Sequence, residues 1–312
     1  MKLSTSTGDL LKYAPSLADA VRLFKDTPFR YLNLEQDTAD YFLCQSDAPW
    51  RREVERWAEA AQYAGVTYLF SHAPCMNAFS GDSTDYDVTV RAIRRSIESC
   101  AALHIPRIVV HASYSPDFTA REFTEQNRRF YGDLLETAEK SGVMLLAENM
   151  TDKNTHVPLA TGRELREFVD AIDHPLLAAC WDIAHANLST KAREHGQYRC
   201  ITDVGDKLKG LHIADNFGDG AHHHTWPFAG IINFDEVMQA LVDVGYEGLF
   251  NFEASYTLLH HENLPYHRQP WQHEGKTVTR LLDPSLELKQ KAVALLYDTG
   301  KYILETYDCW EE

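Results

Sequence analysis

The sequence predicts an α/β fold in which eight strand–helix units close into one barrel. Three observations lead there. Short apolar runs recur along the chain, each ending in a polar side chain, with amphipathic helical stretches between them. Strand and helix alternate throughout, which implies a parallel sheet. No Pro/Ser/Gly-rich linker divides the 312 residues, so residues 1–312 are expected to form a single domain, as α/β barrels of this length commonly do.

The elements follow in order. Met1 to Thr7 is short and β-tolerant, and Ser16 to Phe24 has helical spacing at Leu17, Ala20, Val21 and Phe24. Phe29 to Leu34 is strand two. Trp50 to Tyr63 is a helix with Val54, Trp57, Ala58 and Ala61 on one face, and Gly65 ends it as a left-handed cap. Val66 to Phe70 is strand three, closing on Ser71-His72-Ala73-Pro74. A helix from about Tyr86 to Leu103 leads to strand four, Pro106 to Val110, which ends at His111. The next helix runs from about Arg121 to Lys140 and stops at Gly142. Strand five, Val143 to Ala147, ends at Glu148-Asn149, and Thr161 with Glu164 is a capping-box signature opening another helix. Strand six, Leu176 to Trp181, ends at Asp182 with His185 three residues on. A weaker helix covers Tyr198 to Leu208. Strand seven is the run beginning at Leu211 and carrying His212; after the helix Asn233 to Gly245, strand eight ends at Glu253. Leu286 to Thr306 is a long closing helix. Eight alternating units make a single (β/α)8 TIM barrel, with a long loop, Ala254 to Pro284, after strand eight. A loop of that length is a lid, an oligomer contact or a mobile segment, and a homo-oligomer is among the expectations.

Composition narrows the class. Hydrophobic residues make up 44% and charged residues 24%, enough apolar material for a large core. The formal net charge of −16 opposes binding to nucleic acid and to anionic membranes. Cysteines at 44, 75, 100, 180, 200 and 309 form no C-x-x-C pair and suggest reduced thiols. The start, MKLSTSTGDLLKYAP, lacks the apolar run of a signal peptide. Nothing approaches the roughly 18 apolar residues of a membrane span. A cytoplasmic location is expected.

The residues at the strand ends carry the chemistry. His72, His111, Glu148, Asp182, His212 and Glu253 are each separated by about one β/α unit, so all project onto one mouth, where barrel active sites lie. Glu148, Asp182, His212 and Glu253, from four consecutive strands, give three carboxylates and an imidazole. That oxygen-rich set suits one divalent ion, Mn²⁺ or Mg²⁺, with Zn²⁺, Fe²⁺ or Co²⁺ also compatible. A carboxylate at a single strand end is often only a helix cap or a satisfied ion pair; four in register are not explained that way.

Glu148-Asn149-Met150, Trp181-Asp182-Ile183-Ala184-His185, His212-Ile213-Ala214-Asp215 and Phe252-Glu253 resemble the motifs of the xylose isomerase-like barrel family of sugar isomerases and epimerases. The resemblance covers Met1 to Thr306 apart from the loop Ala254 to Pro284. It implies that Glu148, Asp182, His212 and Glu253 hold the metal, that Glu148 and Glu253 double as the acid/base pair, and that His185 binds substrate. One departure concerns the loop after strand seven. Many relatives carry a histidine and then a Pro-x-Gly-x-Gly turn; here His224-Thr225-Trp226-Pro227-Phe228-Ala229-Gly230 keeps one glycine of the two.

The expected reaction is proton transfer beside a sugar carbonyl through an enediolate, on a small keto or aldo sugar or polyol. His72 and His111 are read as substrate hydrogen-bonders ahead of extra metal ligands or core-edge histidines. His224, beside the Trp-Pro turn, is read as a substrate contact and Asp215 as either a support behind the ligands or a substrate contact, while His222 and His223 are loop residues. Trp181 and Trp226 stack on a sugar face or pack in the core. The turn Asn216 to Gly220 carries Asp219 and no Lys or Arg, which disfavours a phosphorylated substrate. A metal-assisted lyase or dehydratase on a keto-sugar or cyclitol would use the same chemistry. A three-metal abasic-site DNA endonuclease would use His72, His111 and His185 as ligands, with His222 where that pattern has aspartate, and the acidic charge argues against it. A non-catalytic sugar-binding barrel would need no acid/base pair.

Overall fold

The computed structural model describes residues 1–36, 40–43, 46–80, 85–152, 157–218, 224–254, 258 and 270–312. Eight parallel strands form one sheet: β1 (Lys2–Ser6), β2 (Tyr31–Glu35), β3 (Thr67–His72), β4 (Arg107–Val109), β5 (Met144–Glu148), β6 (Leu177–Asp182), β7 (Leu208–His212) and β8 (Leu249–Phe252). Their order is β7-β6-β5-β4-β3-β2-β1-β8. Ile213 closes the ring: its N–H donates to Asn251 O at 2.8 Å, and Glu253 N–H donates to Ile213 O at 3.0 Å. The helices between are α1 (Leu17–Arg22), α2 (Ala48–Ala64), α3 (Asp85–Ala102), α4 (Ala120–Ser141), α5 (Gly162–Ile172), α6 (Gln197–Val204), α7 (Phe234–Asp243) and α8 (Leu286–Thr306). Among the described residues, no helix is long and apolar enough to cross a membrane.

Local chemistry sets the helix ends. Gly65 and Gly142 cap α2 and α4 in the left-handed region, at φ 67° and 65°. Thr161 and Glu164 make the expected capping box at α5, and Thr119 with Glu122 makes a second at α4. Asn233 caps α7 by accepting from the N–H groups of Asp235 and Glu236.

Period-two alternation sorts the strands into an inner and an outer face. Outer residues meet the helices in the large core; inner residues Phe70, Val109, Leu146, Ala178, Cys180 and Leu249 form a second, smaller apolar cluster that fills the barrel. Strand β7 begins at Leu208, three residues before the expected Leu211, and the preceding helix stops at Val204. Gly210 disguises this start, because glycine weakens a strand pattern. The packing requires it: a Cβ there would lie 2.6 Å from Leu146 Cδ1 and 2.7 Å from Phe70 Cζ.

The loop after β8 is not wholly irregular. Its described part contains a hairpin, β9 (Trp271–His273) with β10 (Lys276–Val278), turning at Glu274 and Gly275, both at positive φ. Three short helical turns, Gly8–Leu11, Ile183–Leu188 and Thr190–His195, are also absent from the sequence-based expectation. They are too short to carry a helical period.

Candidate metal centre at the barrel mouth

The inward positions at the carboxyl ends of the strands converge. Ligand atoms of Glu148, Asp182, His212 and Glu253 all lie within 4.8 Å of one another. His212 Nδ1 is 2.8 Å from Glu148 Oε1, 3.0 Å from Glu253 Oε2 and 4.0 Å from Asp182 Oδ2. The Glu148, Asp182 and His212 side chains are buried, whereas Glu253 keeps 23% of its side-chain surface open to the mouth.

Two short motifs acquire a physical reason. Asn149, next to Glu148, accepts from Asp182 N–H at 2.6 Å through Oδ1 and donates through Nδ2 to Asp182 O at 2.9 Å. One amide thus holds the ends of β5 and β6 in register. Asp182 then caps the turn Ile183–Leu188, its Oδ1 accepting His185 N–H at 2.7 Å. Its Oδ2 is buried and has no hydrogen-bond partner among the described residues. A buried carboxylate oxygen left so is costly, and it faces the other three donors.

The electrostatics point the same way. Burial alone would raise the Glu148 carboxyl, but His212, His111 and His72 hold it well below the ordinary carboxylate range. Glu253 shows the same balance, lowered against burial by His212 and His224. Asp182 moves oppositely: burial raises it despite His185 and His224. Against burial, Cys180, Glu148 and Glu253 push His212 well above the usual imidazole value. Two carboxylates are satisfied by imidazoles and the third is not. Three carboxylates meet one imidazole in the set, and the Asp182 oxygen without a hydrogen bond supplies a further donor. These residues fit a divalent cation held by three carboxylates and one imidazole.

Around this centre the other histidines are oriented by backbone carbonyls. His72 Nδ1 lies 2.7 Å from Ala73 O, His185 Nδ1 3.0 Å from Asn149 O, and His224 Nδ1 3.0 Å from Glu253 O. Each ring is thereby oriented from its Nδ1 side. His111 Nε2 is 2.8 Å from Glu148 Oε2 and 3.2 Å from His72 Nε2. Glu35, Glu148 and Glu253 override burial and push His72 up to about 9. Two further groups have cation-binding donors: His72, Cys75 and His111, and Asp182, His185 and His224. Cys75 was not singled out in the sequence, having no regular spacing to either histidine.

Asp215 has a different geometry from the expected substrate contact. It is fully buried, and its carboxylate accepts three backbone N–H groups: Asn216 at 2.8 Å, Gly230 at 2.9 Å and Ile232 at 3.1 Å. Its main chain exchanges two hydrogen bonds with Thr225. These bonds pin the loop that carries His224. Gly230, the retained glycine, packs on that pin; a Cβ there would come 2.3 Å from Asn216 O and from Asp215 Oδ1. Trp181 is likewise fully buried, with its indole N–H donated to Gln197 Oε1 at 3.1 Å, so it packs in the core rather than facing a sugar; Trp226 is half-buried. Asp219, Gly220, His222 and His223 lie outside the described residues.

Glu35 joins the mouth without having been anticipated. It ends β2 on the inner face, 3.5 Å from His72 Nδ1 through Oε1 and 3.3 Å from Ser6 Oγ through Oε2. The signal was there: Glu35 is the polar residue directly after strand two's end at Leu34, the strand-end position used elsewhere.

Residues 19–280 match the family described as xylose isomerase-like TIM barrel. An uncharacterized protein of Methanocaldococcus jannaschii is 30% identical over 187 residues, which are 58% of this chain and 62% of that protein, so the match spans under two thirds of the relative's length. A ketose 3-epimerase of Arthrobacter globiformis is 27% identical over 123 residues, 39% of each chain. Among solved structures, a D-tagatose 3-epimerase-like protein superposes with a TM-score of 0.70 at 22% identity, covering 98% of this chain and 99% of that one. The IOLI protein, solved with a binding zinc atom, gives 0.69 at 15% identity, with 98% and 99% covered. With its eight-stranded barrel and its matched span, the chain belongs to the xylose isomerase-like TIM barrel family.

Proposed function

We propose that this protein is a divalent-metal-dependent sugar epimerase or isomerase acting on a small, unphosphorylated keto or aldo sugar or polyol. The observation that carries the reading is the convergence of Glu148, Asp182, His212 and Glu253, with a carboxylate oxygen of each glutamate within 3.0 Å of His212 Nδ1. These four would hold one Mn²⁺, Zn²⁺ or Mg²⁺. Bound there, the cation would supply Lewis acidity that makes a proton beside a sugar carbonyl easier to remove, a contribution of several kcal/mol. The zinc-containing neighbour and the 3-epimerase relatives support the same assignment.

The chain's own residues perform the proton transfers. Glu148 and Glu253 are held ionised by their imidazole neighbours, so each is a base at neutral pH. One removes the proton beside the carbonyl as the enediolate forms, and the other returns a proton from the opposite side. His185 and His224, with Nδ1 against backbone carbonyls, are the histidines beside the donor set that bind the substrate. His111 hydrogen-bonds Glu148 Oε2 and orients that carboxylate. The test is kcat/KM on paired free and phosphorylated ketoses with metal-loaded protein. Free ketoses should be the better substrates, and a marked preference for the phosphorylated sugar would overturn the assignment of substrate class.

A second reading draws on the two flanking donor groups, His72–Cys75–His111 and Asp182–His185–His224: a multinuclear hydrolase acting at abasic sites in DNA. The net charge of −16 opposes it. Metal content separates the two, one ion per chain against three. A lyase acting on a keto-sugar would share the proton-abstraction step and differ only in its product.

A further inference from the structure

We propose that the inner faces of β8, β1 and β2 bind buried water, held by the side-chain amides of Asn33 and Asn251, in a polar seam that brings solvent from the foot of the barrel to the floor of the mouth. The inference concerns the barrel interior and stands whether or not the substrate is a sugar.

Alternation decides which residues line the seam. Leu3, Leu32, Leu34, Phe250 and Phe252 belong to the core shared with the helices, so the residues between and beside them face inward. Those are Ser4 and Ser6 on β1, Asn33 on β2 and Asn251 on β8. Strand pairing sets Ser4 beside Asn251 and Ser6 beside Asn33, so the four form one patch centred on β1. The apolar cluster inside the barrel takes no residue from β1 or β2. One side of the interior is therefore apolar and the other polar.

The polar side is not satisfied by protein groups. Asn33 and Asn251 are fully buried. Ser4 Oγ donates to Asn251 Oδ1 at 2.6 Å, but Asn251 Nδ2 has no acceptor, and neither Oδ1 nor Nδ2 of Asn33 has a partner among the described residues. Three such atoms left bare would cost a large share of the net stability of a folded domain. The ligand that removes this cost must be small, neutral and able both to donate and to accept, because Asn33 presents a donor and an acceptor on one amide. A cation would leave Nδ2 unmet, and an anion would leave Oδ1 unmet. Exchanging the O and N of that amide leaves the requirement unchanged. Water meets it, and Ser4, having given its hydrogen to Asn251, still accepts from water.

Polar groups continue the seam at both ends. At the foot, two residues below Ser4 and Asn33, Lys2 Nζ lies 3.4 Å from Tyr31 OH, and the Lys2 side chain is 32% exposed. At the mouth, Ser6 Oγ lies 3.3 Å from Glu35 Oε2, and Asn251 stands one inward position below Glu253. Successive inward positions are about 6.6 Å apart on a parallel strand, close to the span of one water making two hydrogen bonds of about 2.8 Å. Water on these groups links solvent at the foot to the floor of the mouth.

The experiment compares the whole chain with its Asn33→Leu variant, which removes the unpartnered amide at similar side-chain size. Oxygen-17 relaxation dispersion of water counts long-lived internal waters, and thermal melting is read alongside. Asn33→Leu should lose at least one long-lived water and should not melt higher than wild type, because water-mediated hydrogen bonds are given up. An unchanged water count overturns the proposal, and a raised melting temperature with it would show that the amide had been bare. Asn251→Leu is made together with Ser4→Ala, so that no hydroxyl loses its acceptor, and should likewise lose water. If a variant fails to fold, a crystal structure of the wild type decides: ordered water within about 3.2 Å of both Asn33 Oδ1 and Nδ2 supports the proposal, and apolar side chains closed over both atoms overturn it. Lys2→Met with Tyr31→Phe makes the foot apolar and should slow solvent exchange of the Asn33 side-chain amide protons severalfold, read by NMR. An unchanged rate overturns the foot as the entrance.

Discussion

Asp215→Asn distinguishes a loop pin from a substrate contact, and its size follows from the geometry. The carboxylate accepts Asn216 N–H and Ile232 N–H on Oδ1 and Gly230 N–H on Oδ2. In its better orientation an asparagine keeps the Oδ1 pair but sets an amide N–H against the Gly230 N–H. One bond is lost and becomes a donor facing a donor, while the other two drop from charged to neutral strength. Charge-assisted bonds contribute about 1.5–3 kcal/mol and neutral ones about 1, so the variant should lose about 2–4 kcal/mol locally. That corresponds to roughly 30-fold or more faster amide exchange at Gly230 and Ile232, since about 1.4 kcal/mol is tenfold. Hydrogen exchange read residue by residue, with KM measured alongside, is the assay. Unchanged protection at both amides together with a raised KM would refute the pin and return Asp215 to the substrate.

Other outcomes follow from the same structure. Gly230→Ala should dislodge the His224 loop, because its Cβ would meet backbone and a buried carboxylate at 2.3 Å; it should lower the melting temperature and raise KM, and a wild-type melt would contradict this. Lys289 and Asp9 form a buried pair at 3.9 Å, with Lys289 on α8. Lys289→Met should cost about 3–5 kcal/mol, because Asp9 is left unpaired, and adding Asp9→Asn should recover part of that. Burial raises the Asp9 pKa and Lys289 opposes the rise. A raised folded pKa means stability is lost as pH climbs from the unfolded value of about 3.9 through the folded one. Without Lys289 that window widens, so the deficit in urea midpoint should be larger at about pH 8 than at about pH 4. A deficit independent of pH would contradict the pairing.

Much of the mouth was legible because two simple periodicities coincide there. Alternation along a strand fixes which residue faces inward, and the barrel rule fixes which end matters, so Glu148, Asp182, His212 and Glu253 could be collected without tertiary information. The same rule applied to β2 yields Glu35, which follows Leu34 as Glu148 follows Ala147. Asp215 shows the opposite limit. Its position at the end of a motif suggested a substrate contact or a supporting residue, whereas its carboxylate is consumed by the adjacent Asn216 N–H and by two N–H groups fifteen and seventeen residues later. Such long-range backbone satisfaction leaves no local pattern. Gly210 hid the start of β7 for a related reason, since the room it leaves for Phe70 and Leu146 is a property of the packed barrel.

The most direct test of the account is solvent deuterium exchange into a ketose pool, followed by NMR with metal content measured in parallel. Metal-loaded wild type should place deuterium on the carbon beside the carbonyl. Glu148→Gln and Glu253→Gln should each lose at least the 10²- to 10⁴-fold that general base catalysis typically contributes. If either variant retains its metal and still exchanges that proton at the wild-type rate, that glutamate is only a ligand and the two-base reaction is contradicted.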